Sequence, residues 1–103
     1  MYNYEKVMRY YYAPEDKSDN VYPSLLPQWD RSPRSGMNGI YINSTPNKFE
    51  KTIQKALQLV EHKPIEHKIL FLKSWNEWAE GNYVEPDLKF GRGYLEVLRN
   101  QLV

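Results

Sequence analysis

The stretch Ser74-Trp75-Asn76-Glu77-Trp78-Ala79-Glu80-Gly81-Asn82-Tyr83-Val84-Glu85-Pro86-Asp87 puts four carboxylates, two indoles and two amides into one short span. Carboxyl groups work in pairs when one must release a proton and the other accept one. Retaining glycosidases hold the two ~5–5.5 Å apart and inverting ones ~6.5–9.5 Å. Glu77 and Glu80 are three residues apart, and in a helical turn their Cβ atoms would sit ~5–6 Å apart on one face. Trp75 and Trp78 would supply a low-polarity wall that raises a carboxyl pKa and keeps one acid protonated near neutrality. Asn76 can hold a carboxylate or a sugar hydroxyl. Spacing alone discriminates poorly, because two glutamates three apart also describe a solvated helix face.

The elements around this span must deliver it to a site. Ile69-Leu70-Phe71-Leu72 is an unbroken apolar run, as expected of a strand buried on both faces of a parallel sheet. The carboxylate span would begin where that strand ends, as a long polar-aromatic loop from Ser74 to Arg92. Upstream, Thr45 can cap a helix with Pro46 at its first position, and Phe49, Ile53, Ala56, Leu57 and Val60 form one apolar stripe. Lys63-Pro64 closes it. A last helix over Gly93–Leu102 is expected to turn Tyr94, Leu95, Leu98 and Leu102 inward.

Near the N-terminus, Tyr4, Val7, Met8 and Tyr11 have helical spacing within residues 1–12. A polar loop, 13–20, leads to an extended segment over Val21–Trp29, punctuated by Pro23 and Pro27, each of which removes a ladder donor. After a loop over Arg31–Asn38, Gly39-Ile40-Tyr41-Ile42 forms a short extended piece. Strand, helix, strand, helix is α/β wiring.

Composition removes other classes. The 103 residues suit one domain, with 14 basic against 13 acidic side chains and no cysteine. A near-neutral total gives no reason to expect a nucleic-acid partner. The absence of cysteine excludes a disulfide scaffold and a thiol nucleophile. No apolar run approaches a membrane span, so the segment reads as soluble and cytoplasmic. Aromatic residues make up 15% of the chain, and six of nine tyrosines fall within the first 22 residues. Such rings suit an interface, or a sugar cleft in which indole faces pack on pyranose C–H faces.

Trp75-Asn76-Glu77-Trp78-Ala79-Glu80-Gly81, then Glu85-Pro86-Asp87, Phe90-Gly91 and Tyr94-Leu95-Glu96, resembles the C-terminal end of WbsX-type glycosyltransferases of polysaccharide or lipopolysaccharide biosynthesis. These in turn look related to glycoside hydrolase family 99. Pro27-Gln28-Trp29-Asp30-Arg31-Ser32-Pro33-Arg34 resembles the family's Trp-Asp-Asn-Thr-Pro-Arg element, and Ser44-Thr45-Pro46 with Phe49-Glu50 also matches. The resemblance runs from about Tyr4 to Leu98. It implies the C-terminal βαβα portion of a (β/α)8 TIM-type barrel, incomplete in this chain, with Val21–Gln28 and His67–Lys73 as its last two strands. By position, Glu77 would be the base that takes a proton from the sugar 2-hydroxyl, whose oxygen then closes a 1,2-anhydro sugar. Glu80 would be the acid/base that protonates the leaving oxygen and later activates water. Trp29, Asp30, Arg34, Trp75, Asn76, Trp78, Tyr83 and Glu85 would bind substrate. Arg31 departs from the family's asparagine and adds charge near the cleft, and Val84 stands where leucine is common.

The implied partners are an oligo- or polysaccharide, a sugar donor if the chemistry is transfer, and the remaining N-terminal barrel portion. A complete barrel needs ~250 residues, so the chain is expected to be a C-terminal fragment, inactive alone. No cofactor is called for. His62 and His67 straddle a helix end and a strand start without a third ligand, which reads as solvated termini rather than a metal site. Arg31 and Arg34 could grip a phosphate or acidic sugar, and Gly91-Arg92-Gly93 shapes entry to the last helix. Three function classes stand: an enzyme on glycosidic bonds, a glycan-binding module that needs only its tryptophans, and a structural fragment completing a barrel.

Overall fold

The structure, a computed structural model, describes residues 2–30 and 40–103, with Ile40, Ile42 and Glu80 described by their backbone alone. The chain runs β1 (Tyr2–Asn3), α1 (Tyr4–Arg9), β2 (Ser24–Leu25), β3 (Trp29–Asp30), β4 (Ile40–Ile42), α2 (Pro46–Val60), β5 (Phe71–Leu72), β6 (Asn76–Glu77), β7 (Asn82–Tyr83) and α3 (Gly93–Leu102). Short 3-10 turns occupy Pro14–Lys17, Ile65–His67 and Trp78–Glu80.

The helix α2 forms for the reasons its sequence suggests. Thr45 Oγ1 accepts the Lys48 N–H at 3.2 Å, Pro46 needs no donor, and Phe49, Thr52, Ile53, Ala56 and Val60 are buried. It packs along α3, and Gly93 lets the two helix starts touch, since a Cβ there would lie 2.6 Å from Pro46 Cγ. In α3 the buried residues are Tyr94 and Val97, Leu95 and Leu98 are partly buried, and Leu102 is exposed. Val97 is thus buried although it was not among the residues expected inward, and Leu102 lies exposed at the rim of an apolar groove that it shares with Leu57 and Val60 of α2.

Two apolar clusters form the core. Leu25, Phe49, Ile53, Ala56, Val84, Tyr94 and Val97 make the larger one, and Tyr4, Met8 and Leu26 the smaller. Tyr4 joins them: its buried hydroxyl donates to Leu26 O at 2.5 Å and lies 3.2 Å from Thr52 Oγ1. Burial pushes the Tyr4 hydroxyl pKa up, against a smaller downward pull from the Thr52 bond. α1 ends at Arg9, short of the expected residue 12, and Tyr12 instead donates to Ser24 O at 2.6 Å.

Strand pairing is brief. Ser24 and Leu25 lie parallel to Phe71 and Leu72, with Phe71 N–H to Pro23 O at 3.0 Å and Lys73 N–H to Leu25 O at 2.9 Å. Pro23 and Pro27 bound the ladder as proline must, so the extended segment Val21–Gln28 contributes only two strand residues. The other segment, His67–Lys73, also contributes two, and His67 belongs to a 3-10 turn. Nor is its apolar run buried on both faces: Phe71 is 55% and Ile69 40% exposed. A second sheet has the order β1-β4-β3, parallel between β1 and β4 and antiparallel between β4 and β3. The stretch expected to be a loop after Ser74 contains the antiparallel pair β6–β7. No helix among the described residues is long and apolar enough to cross a membrane.

Candidate functional site

The hairpin β6–β7 carries the chemistry-bearing span. Asn76 pairs with Tyr83 and Glu77 with Asn82, and the turn Trp78–Glu80 closes on Gly81 in the left-handed region (φ 55°). Glycine is required there twice over, since a Cβ would also meet Asp30 Cβ at 2.7 Å. That close approach seats the hairpin tip against β3. Beneath it, Ser74 Oγ donates to Asn82 O, and Gln28 Nε2 donates to Tyr83 O at 2.9 Å. Asn82 is wholly buried, and its side-chain amide has no hydrogen-bond partner among the described residues.

The aromatic groups are organised by one another. The Trp78 ring stacks on Tyr83 with centroids 3.6 Å apart and an 18° interplanar angle, and its Nε1 donates to Glu85 Oε1 at 2.9 Å. Tyr83 OH donates to Asp87 Oδ2 at 3.2 Å, and Asp87 Oδ1 accepts the Phe90 N–H at 2.6 Å. Partial burial raises the Tyr83 pKa, and the Asp87 carboxylate beside it adds to the rise. Thus Trp78 faces Tyr83 and Glu85, while Glu77 stands exposed on β6. Trp75 is 53% exposed, and its carbonyl accepts the Val84 N–H at 3.0 Å.

Beside the hairpin lies an open cleft of about 830 Å³. Trp29, Asp30, Trp78 and Tyr83, all expected to bind substrate, line it together with Gln28, Tyr41, Asn43, Ser44, Asp87 and Phe90. Lys73 Nζ sits 5.4 Å over the Trp29 ring, a cation–π contact. Trp75, Asn76, Glu77 and Glu85 are on the same hairpin and its exit but do not line the cleft. Glu80 ends the 3-10 turn, and its side chain, like the whole of Arg31 and Arg34, lies outside the described residues.

Sequence reasoning missed Asn43 and Ser44. Asn43 is a non-glycine residue at φ 63°, a conformation that asparagine tolerates better than most. Ser44 Oγ donates to Pro27 O at 2.5 Å and is 2.7 Å from Tyr94 OH. Burial pushes the Tyr94 pKa up to about 12, partly offset by that Ser44 bond. An asparagine directly before a Ser-Thr-Pro helix start was the available signal.

The two histidines do not converge. His62 is exposed, whereas His67 is partly buried, with Nδ1 3.0 Å from Tyr22 OH and the rings stacked, so it is not the solvated terminus expected. Among the described residues no group of three or more His, Cys, Asp or Glu could hold a metal.

Rings alternating with amides, hydroxyls and carboxylates along an open cleft make a surface suited to polyhydroxylated ligands. Comparison with known proteins gives the chain its place: residues 1–98 match the family Glycosyltransferase WbsX, and the chain belongs to that family. It is 36% identical over 84 residues to the uncharacterized protein WxcX in each of two strains of Xanthomonas campestris pv. campestris. Those residues are 80% of this chain and 12% of either relative, so the chain spans only a small part of their length. No solved structure matches the chain. The family name points to a carbohydrate-related role.

Proposed function

We propose that this segment supplies the acid/base edge and one wall of the sugar site in an enzyme acting on glycosidic bonds, a glycosyltransferase or glycoside hydrolase related to family 99. The observation that carries the reading is the hairpin itself. Its turn brings Glu77 and the backbone of Glu80 to the tip that Gly81 seats against Asp30, beside a cleft walled by Trp29, Trp78 and Tyr83. In the proposed step Glu77 takes the proton from the sugar 2-hydroxyl. The 2-oxygen attacks the anomeric carbon as Glu80 protonates the departing oxygen, leaving a 1,2-anhydro sugar that an incoming hydroxyl then opens. Asn76 and Glu85 flank the pair as hydroxyl ligands. Trp75 and Arg34 belong to the same proposed substrate surface. Polysaccharide or lipopolysaccharide synthesis is the setting that fits such a reaction.

The fold proposed for the complete site is a (β/α)8 barrel of which this chain is the last βαβα portion. Support comes from the parallel pairing of β2 with β5 on either side of α2 in sequence. An apolar groove of about 770 Å³, lined by Leu25, Leu57, Val60, Leu70, Leu72 and Leu98, fits the same reading, because a neighbouring β/α unit would cover it.

The test is a substrate lacking the 2-hydroxyl, offered to a longer family protein that contains this segment. The account expects binding without turnover, whereas turnover of the 2-deoxy substrate at the parent rate would remove Glu77 from its role. Retained sugar binding that needs Trp75 and Trp78 but tolerates Glu77→Gln and Glu80→Gln would instead make the segment a glycan-binding module.

A further inference from the structure

The near-neutral total charge conceals a local excess. Between α1, the 3-10 turn Pro14–Lys17 and α2 runs a groove of about 580 Å³, continued by a smaller pocket of about 150 Å³ that shares Met8, Arg9 and Lys55 with it. Arg9, Lys17, Lys48, Lys51 and Lys55 line the two, against the carboxylates Glu5 and Glu61. Lys48, Lys51 and Lys55 follow a helical i, i+3, i+7 row on α2, along the border of its buried stripe at Thr52. Among the described residues, Lys48 is the one of these cations with an ion pair, at 3.9 Å to Glu5. Tyr10 and Tyr11 lie in sequence between Arg9 and Tyr12, both of which line the groove, and Tyr10 is 85% exposed.

We propose that this basic groove is a docking surface for an anionic phospholipid membrane. Lysines present flexible point charges on apolar stems, which suits a diffuse negative surface better than one fixed phosphate. A compact phosphate site would add converging backbone N–H donors, whereas the cations here stand on separate elements, Arg9 on α1, Lys17 on the 3-10 turn and Lys48, Lys51 and Lys55 on α2, and the Lys48 N–H is already taken by Thr45 Oγ1. Exposed tyrosines beside clustered Lys and Arg fit the headgroup region, where a ring and its hydroxyl meet apolar and wet layers at once. The groove lies on α1 and α2 and shares no lining residue with the cleft at the hairpin, so membrane contact and sugar binding can coexist.

The test is co-sedimentation of the 103-residue chain with vesicles, either an equal mixture of phosphatidylserine and phosphatidylcholine or phosphatidylcholine alone. Binding to the mixed vesicles only, released by added salt, is expected. Arg9→Gln, Lys51→Gln and Lys55→Gln together should weaken it on the order of 100-fold, with helix content by circular dichroism unchanged. Removing the same charge elsewhere, through Lys68→Gln, Arg92→Gln and Arg99→Gln, should leave most of it. Equal binding to both vesicle types, or equal losses in the two triple variants, would overturn the proposal. So would displacement by millimolar inorganic diphosphate, which would assign the groove to a soluble phosphate compound, or tighter binding to duplex DNA in the same buffer.

Discussion

The α2–α3 core and the β6–β7 hairpin are neighbours built on opposite principles. In the core, Phe49, Ile53, Ala56, Tyr94 and Val97 are buried and held by apolar contact, and the Phe49 and Tyr94 rings meet at 5.6 Å. In the hairpin, Trp75 and Trp78 are about half exposed, and order comes from stacking, one left-handed glycine and side-chain hydrogen bonds. The hairpin, the region proposed to meet sugar, keeps its rings and Glu77 at the surface, where they add little to stability. The two regions meet at Val84, which leaves the hairpin and enters the larger core cluster. Substitutions in one region should therefore act on folding, and those in the other on chemistry.

The largest effect is expected in the core. Phe49→Ala should cost ~3–5 kcal/mol in a urea melt, because a buried ring leaves a cavity between two helices. For a chain of this size that is a large share of total stability. A loss below ~1 kcal/mol would mean the core is looser than its burial implies. Alkaline pH comes next and also acts on the core. The folded-state pKa of Tyr94 is raised to about 12 from an ordinary 10, so the native state holds its proton where the unfolded chain releases it. Stability is fully present below pH 10 and declines as pH rises towards 12. Tyr94→Phe should flatten that decline by ~1–2 kcal/mol, solvent screening included. An unchanged pH profile in this variant would show that another group governs alkaline unfolding.

Hairpin substitutions should be milder in stability. Gly81→Ala meets both a positive φ and the Asp30 contact, and ~1–3 kcal/mol with displacement of the tip from β3 is expected. Amide chemical shifts of Asp30 would report that displacement, and unshifted resonances would contradict the seating. Trp78→Ala removes the Tyr83 stack and the Glu85 bond. It should cost only ~1 kcal/mol in the melt while abolishing sugar-induced change in tryptophan fluorescence. A large stability loss with sugar binding intact would erase the distinction between the regions.

Legibility in the sequence followed the same division. The helix α2 could be read to its cap and its last turn because period, N-cap and Pro46 all agreed, and the buried side chains carry the period. The short ladders could not be read so. A run such as Ile69–Leu72 reports hydrophobicity but not how many backbone groups find partners, and here only Phe71 and Leu72 pair. The hairpin was hidden because Asn76, Glu77, Asn82 and Tyr83 lack the β-branched alternation that signals strands; its turn depends on Gly81 and on Asp30, which is remote in sequence. The types of residue at the site were visible, and Trp29, Asp30, Trp78 and Tyr83 do share the cleft. For its other wall, Asn43 and Ser44, the local Asn-Ser-Thr-Pro signal marks only a helix start, and the closure onto the cleft comes from the Ser44–Pro27 and Ser44–Tyr94 hydrogen bonds between residues remote in sequence.

The most direct test of the account is the glycosidic-bond turnover of Glu77→Gln, measured in a longer family protein that contains this segment, alongside its melting curve. Glu77 is exposed and lies outside both core clusters, so the melt should shift by less than ~0.5 kcal/mol while the rate falls by ~100-fold or more. Parent-level turnover from a variant with an unchanged melt would contradict the claim that this hairpin carries the chemistry.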